Sequence, residues 1–314
     1  MKSLETIPIK ELTIHTIRAL SMDGVEKAKS GHPGTPMAMA PLAYTLYKEV
    51  MNHSPENPQW FNRDRFILSA GHASMLLYSI LHLSGYPVTL DDLKNFRQLG
   101  SITPGHPEVD CCDGVETTTG PLGQGVANTV GMAIAEAHLA ATFNREGYNL
   151  IDHFTYALCG DGDLMEGLSH EAAAVAGHLG LGKLMWFYDD NHITIEGSTD
   201  LAYSDNVQKR FESYGWHVIN LGERANDTDA LKNAIHKAKS EEQKPSLVII
   251  RSHIGYGAPN LQDTSTVHGA PLGEEEIKAT KTFYGLPENE TFLVPDRVKD
   301  HMADIKTSRA EKEK

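Results

Sequence analysis

Apolar residues recur at helical spacing over residues 9–30, 37–51, 72–84 and 125–145, and the last stretch is rich in Ala. Short runs of another kind are interspersed: "RFILS" (65–69), "FTYALC" (154–159), "KLMWFYD" (183–189), "WHVINL" (216–221) and "SLVIIRS" (246–252). Each is apolar nearly throughout and rich in β-branched or aromatic residues. That is the pattern of a strand buried on both faces, not the alternation of a half-exposed one. Helical patterns over 165–179, 204–214 and 227–242 separate the later runs. Strand and helix in alternation predict βαβ units, and so an α/β fold with a doubly wound, mainly parallel sheet flanked by helices. The end of the chain, "KTSRAEKEK" (306–314), is polar without a periodic apolar face and is expected to be frayed or docked elsewhere. The expected organisation is one binding domain over 1–285 and a polar C-terminal tail over 286–314.

Composition narrows the setting. With 40% apolar and 22% charged residues, the chain of 314 residues can bury a core without disulfides or a structural metal. A net charge of −14 argues against nucleic-acid and anionic-membrane partners, which are bound through excess Lys and Arg. The three cysteines, Cys111, Cys112 and Cys159, have no C-x-x-C spacing, so neither a disulfide framework nor a zinc site is expected. No apolar stretch resembles a signal peptide or a membrane span. Together these predict a cytoplasmic protein.

In an open α/β sheet, ligands bind beyond the carboxyl ends of the strands. Four loops fall there: "SAGHAS", "CGDGDLMEGL", "YDDNHITIEG" and "RSHIGYG". Asp161 and Asn191, brought together by neighbouring strands, would offer hard oxygens that suit Mg²⁺ or Ca²⁺ better than zinc. Mg²⁺ shares its shell with water and phosphate. Gly160 and Gly162 allow close approach of a phosphate, and a helix starting near Met165 would add its N–H groups. The motif therefore reads as a metal-bridged diphosphate site. The same residues would equally serve as a helix cap at Asp161 and Asp163 and a turn at 189–191, and spacing alone leaves both readings open. His32, His72, His106 and His268 each stand beside glycine, in loops that can hold an imidazole rigidly for proton transfer or for hydrogen bonds to oxyanions. His138, His178 and His236 lie on helical patterns and read as surface or packing residues. No strand is followed by G-x-G-x-x-G, so a dinucleotide site is not expected.

The Gly-Asp-Gly…Asn arrangement resembles the thiamine diphosphate signature, and further blocks resemble transketolases in that family's order. They are "SGHPGTPMAMAPLAYTLY" (30–47), "NRDRFILSAGHASMLLYSILHLSGY" (62–86), "PGHPE" (104–108), "TTTGPLGQGVANTVGMA" (117–133), "GDGDLMEG" (160–167), "DDNHITIEG" (189–197) and "VHGAPLG" (267–273). The likeness covers roughly residues 10–285 and concerns the family's N-terminal, diphosphate-binding domain. It implies the thiamine diphosphate-binding fold, with Asp161, Asn191 and the backbone carbonyl of Ile193 holding Mg²⁺, for which Ca²⁺ or Mn²⁺ would substitute. By the same resemblance, His32, His106 and His268 would face sugar hydroxyls, and His72 and His268 the diphosphate. Gly120 and Leu122 would lie against the aminopyrimidine and Ile195 would support the thiazolium ring. Glu166 would join a proton relay toward the partner's active site.

The activity implied is transfer of a two-carbon ketol unit from a ketose phosphate to an aldose phosphate, as in pentose-phosphate metabolism, with the cofactor as electron sink. Other thiamine enzymes, of the deoxyxylulose-phosphate synthase or 2-oxo acid dehydrogenase type, would share Gly-Asp-Gly…Asn but not "SGHPG", "GPLGQG" and "VHGAPLG" together. A non-catalytic cofactor-binding subunit is the alternative from another class. The family's pyrimidine-binding domain carries a glutamate that activates the cofactor, and no segment here resembles it. The expectation is an N-terminal subunit working as an α₂β₂ assembly with a separately encoded chain that carries the pyrimidine-binding and C-terminal domains. A portion of a longer enzyme is the other possibility.

Overall fold

The computed structural model describes residues 4–313, with side-chain surroundings given as far as residue 305. In chain order the strands are β1 (Arg65–Leu68), β2 (Thr155–Gly160), β3 (Leu184–Asp190), β4 (Ile193–Thr194), β5 (Gly197–Ser198), β6 (His217–Asn220) and β7 (Ser246–Arg251). Five of them form one sheet in the order β1-β2-β3-β7-β6, with every pairing parallel. The other two, β4 and β5, make a small antiparallel ribbon just past the end of β3. Parallel neighbours need crossovers, and helices supply them.

The helices are α1 (Ile9–Ala28), α2 (Gly34–Tyr44), α3 (Ser74–Ser84), α4 (Leu90–Lys94), α5 (Gln124–Phe143), α6 (Asp161–Met165), α7 (Gly167–Leu179), α8 (Val207–Ser213), α9 (Thr228–Lys239), α10 (Thr266–Gly269), α11 (Glu274–Phe283) and α12 (Asp296–Glu313). They cover both faces of the sheet and make two cores. Along β2, Tyr156 and Leu158 join the core shared with α1, α2, α3 and α9, while Ala157 and Cys159 join the core beneath α5, α7 and α8. On β3, Phe187 and Trp186 divide in the same way. This explains the unbroken apolar runs of β1, β2, β3 and β7, whereas β6, expected to be buried on both faces, is an edge strand with Asn220 exposed.

Local chemistry sets several element ends that periodicity does not mark. Pro41 has no N–H to give to the Met37 carbonyl, which the Arg18 guanidinium takes instead at 2.7 Å. The helix then widens into a π turn over Thr45–Val50. The single helix expected over 165–179 is two, because Glu166 is extended (φ −75°, ψ 134°) between α6 and α7. Residues 286–305, polar on average, still place Leu286, Phe292, Val298, Met302 and Ile305 in the first core. The last three recur on one face of α12. The "KTSRAEKEK" side chains lie outside the described surroundings.

Candidate active site

The register of the sheet pairs Gly160 with Asp189. Asp161 and Asn191 therefore leave adjacent strands side by side, and both are buried. One Asp161 oxygen accepts the Tyr188 hydroxyl, and the other accepts the His192 N–H at 3.2 Å. His192 is in the left-handed region (φ 63°), which turns its N–H back toward Asp161. The Asn191 amide donates to Asp189 at 2.9 Å, and its carbonyl oxygen accepts the Ile193 N–H at 2.9 Å. Burial raises the Asp161 carboxyl to about 7; the Tyr188 hydrogen bond opposes this, and Asp189 and Asp190 add to it. Among the described residues, no three His, Cys, Asp or Glu side chains gather as a metal-binding group. The protein thus offers a pair of hard oxygens, with the rest of any coordination shell left to a ligand and water.

Three of the four glycine-flanked histidines meet. The ring centroids of His32 and His72 are 5.0 Å apart, those of His72 and His268 5.1 Å, and those of His32 and His268 5.7 Å. Burial, first of all, lowers each of these histidines, His32 to about 4, and neighbouring imidazoles add to the effect on His32 and His72. Arg97 stands 3.4 Å from His32 Nδ1 and lowers it further. His106 is exposed and packs behind Gly120 (φ +150°), where a Cβ would come within 3.3 Å of its ring. A Cβ on Gly162 would sit 2.8 Å from Leu122. These two glycines keep room where a side chain would fill the site.

A cleft of about 360 Å³ collects His32, His72, Gly120, Leu122, Asp161, Gly162, Glu166, Asn191, Ile193, Ile195 and His268. Glu166 is exposed at the start of α7, and Ile195 is 62% exposed at the rim. Of the predicted set, only His106 lies outside the cleft wall. His138, His178 and His236 are exposed on α5, α7 and α9, away from it.

Two carboxylates that the sequence offered only as a helix cap (Asp163) and part of a turn (Asp189) organise these loops, and Asp163 does cap α6 through the Gly160 N–H. Asp163 accepts from Ser69 Oγ, Gly123 N–H and Gly160 N–H at 2.6, 2.9 and 3.0 Å. Asp189, on β3, accepts from Ser252 and Asn191. The signal available in the sequence was a serine at the end of each facing strand, Ser69 after β1 and Ser252 after β7.

The histidine cluster carries a stability prediction. An unfolded chain protonates His32 near pH 6.5, whereas the folded chain resists down to about 4. The unfolded state therefore binds more protons in that window, and stability falls as pH drops through it. The melting temperature should decline from pH 6.5 toward 4, and His32→Asn should flatten part of that decline. A profile identical to the parent's would rule out His32 as a contributor.

Residues 9–314 match the family model described as transketolase, thiamine diphosphate binding domain. The chain belongs to the transketolase family. It is 57% identical over 306 residues to a transketolase of Geobacillus stearothermophilus, covering 97% of this chain and 46% of that protein. A Bacillus subtilis transketolase is 56% identical over the same shares of the two chains. Among solved structures, transketolase from Leishmania mexicana superposes with a TM-score of 0.95 at 48% identity, covering 98% of this chain and 46% of the other. A Pichia stipitis transketolase in complex with sedoheptulose-7-phosphate gives 0.93 at 47% identity, over 96% and 45%. The chain thus spans about half the length of the curated relatives it matches. The five-stranded parallel sheet with helices on both faces is the expected fold. Among the described residues no helix is long and apolar enough to cross a membrane.

Proposed function

We propose that this chain forms the diphosphate-and-metal half of a transketolase site, transferring a two-carbon ketol unit from a ketose phosphate to an aldose phosphate. The observation that carries the reading is the single cleft in which a transketolase-family chain gathers Asp161, Asn191 and three touching imidazoles. The residues fit thiamine diphosphate with a divalent cation on three counts. The paired donors are hard oxygens. Gly120 and Gly162 leave space where a Cβ would crowd His106 and Leu122. His268 Nδ1 is buried with no hydrogen-bond partner among the described residues, as suits a group awaiting a ligand.

In this reading Asp161, Asn191 and the Ile193 carbonyl hold Mg²⁺, with Ca²⁺ or Mn²⁺ as substitutes. His72 and His268 bind the diphosphate, Gly120 and Leu122 the aminopyrimidine, and Ile195 the thiazolium. Bound thiamine diphosphate supplies the electron sink for breaking the carbon–carbon bond beside a ketone. The chain's own part is to hold and move protons. Neutral imidazoles at His32, His106 and His268 can donate to one sugar oxygen and accept from another. Glu166, exposed at the cleft edge, serves a relay toward a neighbouring site. The sugar-phosphate substrate class is supported by the Pichia stipitis complex. The free thiols of Cys111, Cys112 and Cys159 suit a cytoplasmic setting. The partner is a C-terminal transketolase half, assembled as α₂β₂.

The direct test combines the chain with that half, thiamine diphosphate, Mg²⁺, a ketose phosphate and an aldose phosphate, and identifies products by mass spectrometry. Exchange of a two-carbon unit is expected; decarboxylation of a 2-oxo acid instead would overturn the reading. His106→Ala and His268→Ala should each lower turnover by about 10² or more, the usual loss for a proton-transfer or oxyanion group. His178→Ala, exposed on α7, should change little. Equal losses at all three positions would mean that packing had been taken for chemistry.

A further inference from the structure

Asp163 is fully buried, and none of its hydrogen-bond partners is a cation. Oδ1 accepts from Ser69 Oγ at 2.6 Å and Gly123 N–H at 2.9 Å, and Oδ2 accepts from Gly160 N–H at 3.0 Å. Ser69 is the donor in its bond, because a carboxylate can only accept, and its own oxygen in turn accepts the Val126 N–H at 3.0 Å. The partners come from different segments. Ser69 follows β1 and leads into the loop of His72, and Gly123 closes the loop of Gly120 and Leu122. Gly160 ends β2 immediately before Asp161. Val126 is in the first turn of α5.

Burying a carboxylate without a counter-ion is costly, and an apolar side chain would fill the space at less expense to the fold. What only the carboxylate can do is take donors from three segments at once. We propose that Asp163 is a positioning residue that fixes the His72, Gly120–Leu122 and Asp161–Gly162 loops relative to one another before any ligand binds. The inference rests on the function proposed above, in which those loops hold the diphosphate, the aminopyrimidine and the metal. Ligand sites held by such outer partners lose affinity when the partners are changed, even though the contacting residues remain.

Asparagine is nearly the same size but keeps one acceptor oxygen. Asp163→Asn must therefore leave either the Gly160 N–H or the Gly123 N–H without its acceptor. With the C-terminal half present, the half-saturating concentration of thiamine diphosphate and Mg²⁺ should rise about tenfold or more. Turnover at saturation should stay within about twofold of the parent. In the unloaded assembly, amide exchange should accelerate at whichever of Gly123 and Gly160 loses its acceptor, while the β2 amides before Gly160 and those of β3 keep parental rates. A merely structural role would do the reverse: fewer competent molecules, lower turnover, unchanged half-saturation and faster exchange across the sheet. If Asp163→Asn does not fold, Ser69→Ala removes one donor and should move the same readouts in the same direction, by less. Parental half-saturation together with parental exchange at Gly123 and Gly160 would overturn the inference. A parent assembly that binds no thiamine diphosphate would overturn the proposed function instead, while the exchange measurement would still decide whether Asp163 anchors the loops.

Discussion

Asp161→Ala should abolish metal-dependent binding of thiamine diphosphate while leaving the fold in place. Asp161 is one of only two side chains that we propose as metal donors, and it alone carries charge. Its carboxyl is raised to about 7 chiefly by burial, so the folded chain already holds the anion at a cost that a bound cation would offset. Removing it leaves two neutral oxygens, the Asn191 side-chain carbonyl and the Ile193 backbone carbonyl, which cannot retain a divalent ion against water. The damage to the fold is confined. Asp161 begins a short helix at the sheet edge, and its partners, the Tyr188 hydroxyl and the His192 N–H, lie beside the cleft. Titrating Mg²⁺ and thiamine diphosphate into the parent and variant assemblies, with circular dichroism as the control for folding, gives the answer. Binding by the variant as tight as the parent's would show that the metal lies elsewhere.

The parts of this site legible in the sequence were those set by backbone and residue type. Apolar runs without alternation marked strands covered on both faces, and β2, β3 and β7 have that burial. Once the sheet was parallel, the carboxyl-end rule brought His72, Asp161 and Asn191 to one edge, where the cleft lies. Less legible was anything set by a tertiary partner. A fully buried Asp163 looks in sequence like another helix cap, because nothing local shows that Ser69 and Gly123 donate to it. Tyr188 reads as strand core, yet its hydroxyl reaches Asp161. The break at Glu166 escaped periodicity because α6 is a single turn, too short to carry a phase of its own. In α12, Val298, Met302 and Ile305 form a narrow stripe within a polar composition, and the tertiary core decides that the helix docks.

The chain by itself should show no ketol transfer and only weak affinity for thiamine diphosphate; the C-terminal transketolase half, added in equal amount, should restore both. The reason lies in the shape of the site. The cleft has a floor of glycines, metal donors and imidazoles, but its rim is open. Ile195, proposed to support the thiazolium, is 62% exposed, and Glu166 is exposed beside it. A ring held on one side only leaves apolar surface in water and loses the burial that gives a cofactor most of its affinity. The surface nearby points the same way. On α5, Ile134, Leu139 and Phe143 are exposed, and so are Val175 and Leu179 on the adjoining α7. A helix apolar on both its buried and its solvent side is built to be covered. The family resemblance assigns the missing contacts, and the glutamate that activates the aminopyrimidine, to the half of transketolase length that this chain does not span. Calorimetry with thiamine diphosphate and Mg²⁺, run on the chain, on the C-terminal half and on their mixture, would measure the gain. Sedimentation of the mixture would establish whether two of each chain assemble. Full turnover by this chain alone, verified free of the other half, would sink the proposal. Such a result would require every contact to the aminopyrimidine to come from residues already in the cleft.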